Sequence, residues 1–159
     1  MDKTTVLSKM ANQAWQTHVD RTTKFINELS DEHLLKEIAP GKNRGIYLVG
    51  HLAAVHDMMS EILGFGKRVY PEYEALFLKA PDKSIDKIPT LAELRQAWTI
   101  IHERLKNEFE KMKPEAWFTR HESMTDTDFE KEPSRNKLSV LLNRTNHLAY
   151  HFGQLRLLK

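Results

Sequence analysis

Four stretches of the chain repeat apolar residues at steps of three and four, the pattern of helices that bury one face. In the first, from about Thr5 to Leu29, the stripe is Leu7, Met10, Ala14, Phe25 and Leu29, and His18 falls on it. Ser30 and Asp31 offer an N-cap for a short helix over DEHLLKEI, and Pro40-Gly41 ends it. A second long helix is expected from about Arg44 to Leu63, with Leu48, Leu52, Val55, Met59 and Ile62 inward and Gly64 and Gly66 as its stop. The third follows Pro89 with a capping box, Thr90 and Glu93, and keeps Leu91, Leu94, Trp98, Ile101, Leu105, Phe109 and Met112 in step until Pro114. The last begins near Ser134 and runs to the C-terminus, its apolar face Leu138, Leu141, Leu142, Thr145, Ala149 and Phe152.

Two long connections separate these helices. Residues 66–90 contain Pro71, Pro81 and Pro89 and break the rhythm, with room for a helical turn in EYEALFL. Such a segment can wall a functional site, or Phe77 and Leu78 can plug the end of the helices. Residues 114–133 hold Trp117, Phe118, His121 and the acidic run TDTDFEKE, and can either fold over the bundle end or form a mobile loop. Four long helices with long crossover connections predict an all-α four-helix bundle, one domain over residues 1–159. Bundles of this kind build their sites from inward side chains on facing helices.

Composition narrows the chemistry. With 40% apolar and 29% charged residues the chain reads as a folded protein, and no apolar run nears the ~20 residues that cross a bilayer. The N-terminal segment has no compact apolar stretch of the secretory kind, so a cytoplasmic location is expected. Basic and acidic residues, 24 and 22, are mixed along the chain, which argues against nucleic acid as a partner. Cysteine is absent, so any metal site must use histidine and oxygen ligands, and any thiol nucleophile must come from outside.

The candidate chemistry lies in NRTNHLAYHFGQ, residues 143–154. His147 and His151 are four apart, which on a helix sets their Cβ atoms about 5–6 Å apart on one face, within reach of one metal ion. Leu148 follows His147, so the glutamate of the zinc-protease motif is missing. By spacing alone, metal binding and a structural pair are equally served. The surrounding ridge, Asn143, His147, Tyr150, His151 and Gln154, is polar yet uncharged, and between Lys137 and Lys159 only Arg144 and Arg156 carry charge. A ridge of that kind belongs to a helix covered on several sides and facing a polar cavity or an interface, and a homodimer through this helix is expected. On the second long helix, His51 lies about 60° to one side of the apolar stripe and His56 about 80° to the other, with Asp57 pointing away. Periodicity leaves open which of the two faces a site. Gly50 would let another element approach closely there. His18 reads as a packing residue and His102, among charged neighbours, as solvent-facing.

GHLAAVHD at 50–57, NHLAYHFGQL at 146–155 and LSDEHLLKEIAPGKN at 29–43 resemble the DinB-like family of metal-dependent four-helix bundles, which includes bacterial low-molecular-weight thiol S-transferases. The likeness follows the helix order over essentially the whole chain, and His-x-x-x-His-x-Gly-Gln is its most specific element. It implies a ligand triad of His51, His147 and His151, and so implies His51 rather than His56. The implied cofactor is a divalent metal, zinc first, with nickel or iron as alternatives. Three imidazoles leave a coordination position open, as catalytic sites do. The implied activity is transfer or hydrolysis on a small-molecule substrate, with an exogenous thiol or a water activated at the metal. Gln154, Tyr150 and Asn143 are candidates for orienting ligands or substrate, with helix-packing hydrogen bonds as the competing role. His56 and Asp57 are further candidates, Asp57 poorly placed by the wheel. The competing functional classes are a non-catalytic stress or interaction protein with a structural metal, and a metal-free bundle whose histidines line a ligand pocket. No residue is singled out as catalytic in itself.

Overall fold

The computed structural model describes residues 2–159. It is all-α: the long helices are α1 (Lys3–Glu28), α3 (Gly45–Ile62), α4 (Leu91–Lys111) and α6 (Lys137–Leu155), with short helices α2 (Asp31–Leu34) and α5 (Asp126–Lys131) in the connections. A π-helical turn, Ala75–Lys79, and two 3-10 turns, Pro114–Phe118 and Arg156–Leu158, complete the described residues, which form no strand. The four long helices make the bundle. Helix α1 lies against α6 and α4, and α3 against α4 and α6, so α1 is diagonal to α3.

Helix ends follow local chemistry. Asp2, Ser30, Thr90, Thr125 and Asn136 each cap a helix by accepting from a backbone N–H of its first turn, and Thr90–Glu93 forms the full capping box. The last helix begins at Lys137, three residues later than Ser134 suggests. Asn136 is its cap, and an isolated β-bridge between Arg120 and Asn136 fixes the entering chain. The short second helix ends at Leu34 rather than continuing through Ile38, because Glu37 bridges to Arg44 and turns the chain into α3.

Helices α3 and α4 run in the same direction: His56 meets His102, and Phe65, just past α3, meets Phe109. Parallel neighbours need a return segment as long as the bundle, which explains the length of the 63–90 connection. Asp57 ties its start, accepting from the backbone N–H groups of Val69 and Tyr70 at 3.0 and 2.7 Å. Asp82 ties its end through a two-pronged pair with Arg44 at the foot of α3. Between these anchors Phe77 is fully buried, so this segment both plugs the bundle and walls the site. The 114–133 connection folds over the bundle rather than swinging free, since Trp117 is buried against Phe109.

The buried faces differ from the sequence pattern in four places. In α1 the inward residues are Ser8, Ala11, Trp15, Val19, Thr22, Phe25 and Ile26, while Leu7 and Met10 are 50% and 60% exposed and Ala14 is exposed as well. The indole of Trp15, packed on the rings of His56, His102 and Phe109, turns the helix about one residue away from the Leu7 stripe. In α6, Leu148 and Leu155 are buried and Leu142 is exposed. His102 is not solvent-facing: it is buried, its Nε2 2.9 Å from His56 Nδ1 and its Nδ1 2.7 Å from the Trp98 carbonyl. Asp57, expected to point outward, is buried because the returning connection covers that side of α3.

Candidate metal centre

Helix α3 supplies one imidazole and α6 two. His51 Nε2 lies 3.2 Å from His147 Nε2, which lies 3.1 Å from His151 Nε2. One ring nitrogen from each falls within 4.8 Å of the other two, an arrangement that can hold a metal ion, and no other histidine or carboxylate among the described residues joins it. The structure therefore brings together the three histidines that the family resemblance implies. It sends His56 to the other side of α3, into the buried pair with His102.

The tautomers of two rings are set from outside. His51 Nδ1 is 3.0 Å from the Phe77 carbonyl, which can only accept, so Nδ1 carries the proton and Nε2 keeps its lone pair. His151 Nδ1 donates likewise to Gln154 Oε1 at 2.7 Å, freeing its Nε2. Two lone pairs thus converge on His147 Nε2, where a single proton can satisfy only one of them. A divalent cation satisfies all three donors, and the donor set fits such an ion on this ground. Burial holds the His147 pKa down to about 4, with the neighbouring rings and Arg144 adding to it, and burial likewise lowers His151. Both rings stay neutral near pH 7, the state a ligand requires.

Gly50 makes the Phe77 contact possible. A Cβ there would overlap the Phe77 ring, so only glycine lets the π-helical turn approach closely enough to present its carbonyl to His51. Tyr47, one turn before His51 on the same face, completes the support: its hydroxyl donates to the Ala80 and Phe77 carbonyls at 2.8 and 3.2 Å, and its ring stacks on His51. Neither Tyr47 nor the Phe77 carbonyl is among the candidates named from the sequence. The four-residue spacing of Tyr47 from His51 was a readable signal for the first; a backbone oxygen carries none.

The remaining candidates divide. Gln154 bonds directly to a triad ring. Tyr150 is 64% exposed, its ring edge-on to His151 and its hydroxyl accepting from Gln154 Nε2 at 3.4 Å, so it stands at the open rim. Asn143 touches none of the three rings; its side chain receives Arg144 Nη1 at 3.1 Å and lines a neighbouring cavity. Asp57 is engaged with the connection, as above, and His18 is half-buried on α1.

An all-α bundle with three histidines on facing helices is the class of protein that this fold and site define. The sequence profile of the DinB superfamily matches residues 14–155, and the chain belongs to that superfamily. No curated protein matches it. Among solved structures it is similar to a conserved protein from Enterococcus faecalis, at 15% identity and a TM-score of 0.56 over 99% of this chain and 98% of the other, a likeness of fold. No described helix is long and apolar enough to cross a membrane.

Proposed function

We propose that the chain is a metal-dependent enzyme in which His51, His147 and His151 hold a divalent ion, zinc first and nickel or iron as alternatives, and an exogenous low-molecular-weight thiol or water is activated for transfer to a small-molecule substrate. The observation that carries this reading is the convergence of three Nε2 atoms with two tautomers fixed from behind. Such an ion supplies Lewis acidity, lowering the pKa of a thiol or water at its free position. The chain's own part is to present three neutral donors, to hold His51 against the Phe77 carbonyl and to hold His151 against Gln154. His147 and His151 are only half-buried, which leaves the triad open on the Tyr150 side. Tyr150 and Gln154 there offer a hydroxyl and an amide to a bound molecule. With no cysteine in the chain, the thiol in this reading is a co-substrate.

The test begins with metal content of untagged protein by mass spectrometry, compared with His51→Ala and His147→Ala. Stoichiometric metal in the native chain and its loss in both variants are expected; equal content in all three overturns the assignment. Cobalt-substituted protein is then titrated with a small thiol. A sulfur-to-metal charge-transfer band supports the transferase reading, and bound cobalt whose spectrum no thiol or pH change perturbs points instead to a structural site.

A further inference from the structure

A second constellation lies beside the triad and takes no part in it. A cavity of about 390 Å³ opens between the end of α3 and the first turns of α6, lined by Ile62, His121, Ser123, Arg135, Asn143 and Arg144 among others. Two guanidiniums face it and no carboxylate does. Two acids of the 114–133 connection, Asp126 and Glu122, are engaged with Arg120 at 2.7 and 3.7 Å.

Arg144 is the unusual member. Its side chain is half-buried, its Nε is buried without a hydrogen-bond partner, and its one bond runs from Nη1 to the amide oxygen of Asn143. Four other arginines are answered by carboxylates or carbonyls. Arg44 has Asp82, Arg68 has Glu61 and Glu74, Arg95 has Asp31 and two carbonyls, and Arg104 has two carbonyls. A guanidinium offers five donors in a plane, and removing it from water without a partner is unfavourable. Burial lowers the Arg144 pKa for that reason. An anion entering the cavity would meet a half-buried guanidinium that no carboxylate balances, and its planar donors suit a charge-assisted, bidentate bond.

We propose that this cavity is an oxyanion-binding subsite, in which Arg144, with Arg135, Asn143 and Ser123, receives the carboxylate or phosphate group of a small molecule. Its position gives it a use. Asn143 and Arg144 precede His147 by four and three residues on one helix, so the subsite and the nearest ring of the triad are separated by about one helical turn, roughly 5–6 Å of rise. A molecule a few bonds long, anchored by its anionic group at Arg144, has its other end beside the three imidazoles. That second statement rests on the metal reading above; the anion site itself does not.

The test is made on chelator-treated protein, so that anion binding and metal binding succeed or fail separately. Backbone amide NMR spectra are recorded while succinate, or inorganic phosphate, is added at constant ionic strength, with chloride as reference. Saturable shifts at Ser123, Asn143 and Arg144 are expected. Arg144→Gln is expected to weaken binding about tenfold, equivalent to about 1.4 kcal/mol, while the surface variant Arg21→Gln binds as the native chain does. Saturation by succinate alone identifies a carboxylate group, and by phosphate alone a phosphate group. Absence of saturation by either anion, or native-like binding by Arg144→Gln, overturns the subsite. Arg144→Met supplies an independent readout in thermal melts without anion. Relief of an unpaired charge raises its Tm above that of the native chain, and a lowered Tm would make Arg144 a structural residue and overturn the proposal.

Discussion

His51 and His151 illustrate how much of a metal centre is decided by atoms behind the ligands. Each ring donates from Nδ1 to an oxygen that can only accept, and each thereby presents Nε2 to the interior of the triad. Gln154→Leu removes one of these acceptors without disturbing the core, since Gln154 lies at the half-exposed end of α6. Metal affinity is expected to fall roughly 10–100-fold, read by competition with a chromophoric chelator, with Tm of the metal-free chain little changed. Unaltered affinity would show that the Gln154 bond does not orient His151. The buried His56–His102 pair has a different consequence. Burial holds His102 down to about 4 and lowers His56 well below its ordinary value, whereas both titrate near 6.5 in the unfolded chain. The unfolded state therefore binds protons that the folded state refuses. Stability is fully present above about pH 6.5 and falls as the pH drops toward about 4, by up to about 1.4 kcal/mol per pH unit for each histidine. Thermal melts of chelator-treated protein from pH 7.5 to 4.5 check this, and a Tm independent of pH across that window would contradict it.

At the scale of elements, the return segment between α3 and α4 decides the site. Its π-helical turn stands against α3 only because position 50 has no side chain, and from there it delivers the Phe77 carbonyl to His51. Gly50→Ala forces the Phe77 ring away, at an expected cost of about 1–3 kcal/mol of stability from overpacking. The same shift withdraws the acceptor from His51, so metal affinity should fall together with Tm. Loss of Tm with unchanged affinity would separate packing from ligand orientation. The helix boundaries themselves were legible in local residues: Thr90 and Glu93 announce α4, and Gly64 and Gly66 follow α3. The helix faces were less so. Leu7, Met10 and Ala14 make a better stripe on paper than Ser8, Ala11 and Trp15, but Trp15 has the larger apolar surface and its ring stacks within the core. His102 looked solvated because its sequence neighbours are charged, yet it faces inward with Trp98 and Ile101.

Over the whole molecule, helix spacing along the sequence was enough to announce an all-α four-helix bundle, because periodicity and caps are local properties of the chain. The same locality put His147 and His151 on one face of α6 and allowed a metal, but it could not choose between His51 and His56. Each lies beside the apolar stripe of α3, and which one meets α6 depends on how four helices are arranged around each other. The family resemblance pointed to His51, and the fold puts His51 against α6 and His56 against α4. Asp57 and Phe77 show the same division: nothing in their own neighbourhoods says that one anchors a distant loop and the other lends a carbonyl to a ligand. Arg144 was visible in the sequence as one of two charges on an uncharged helix, and only the tertiary structure shows it unpaired at the edge of a cavity. The sequence by itself determined the four long helices and their approximate bounds, their amphipathic character and one pair of donors. The tertiary structure decided the third donor, its hydrogen-bond support and the neighbouring basic cavity, since each needs groups far apart in the chain to meet, and such meetings follow from long-range packing.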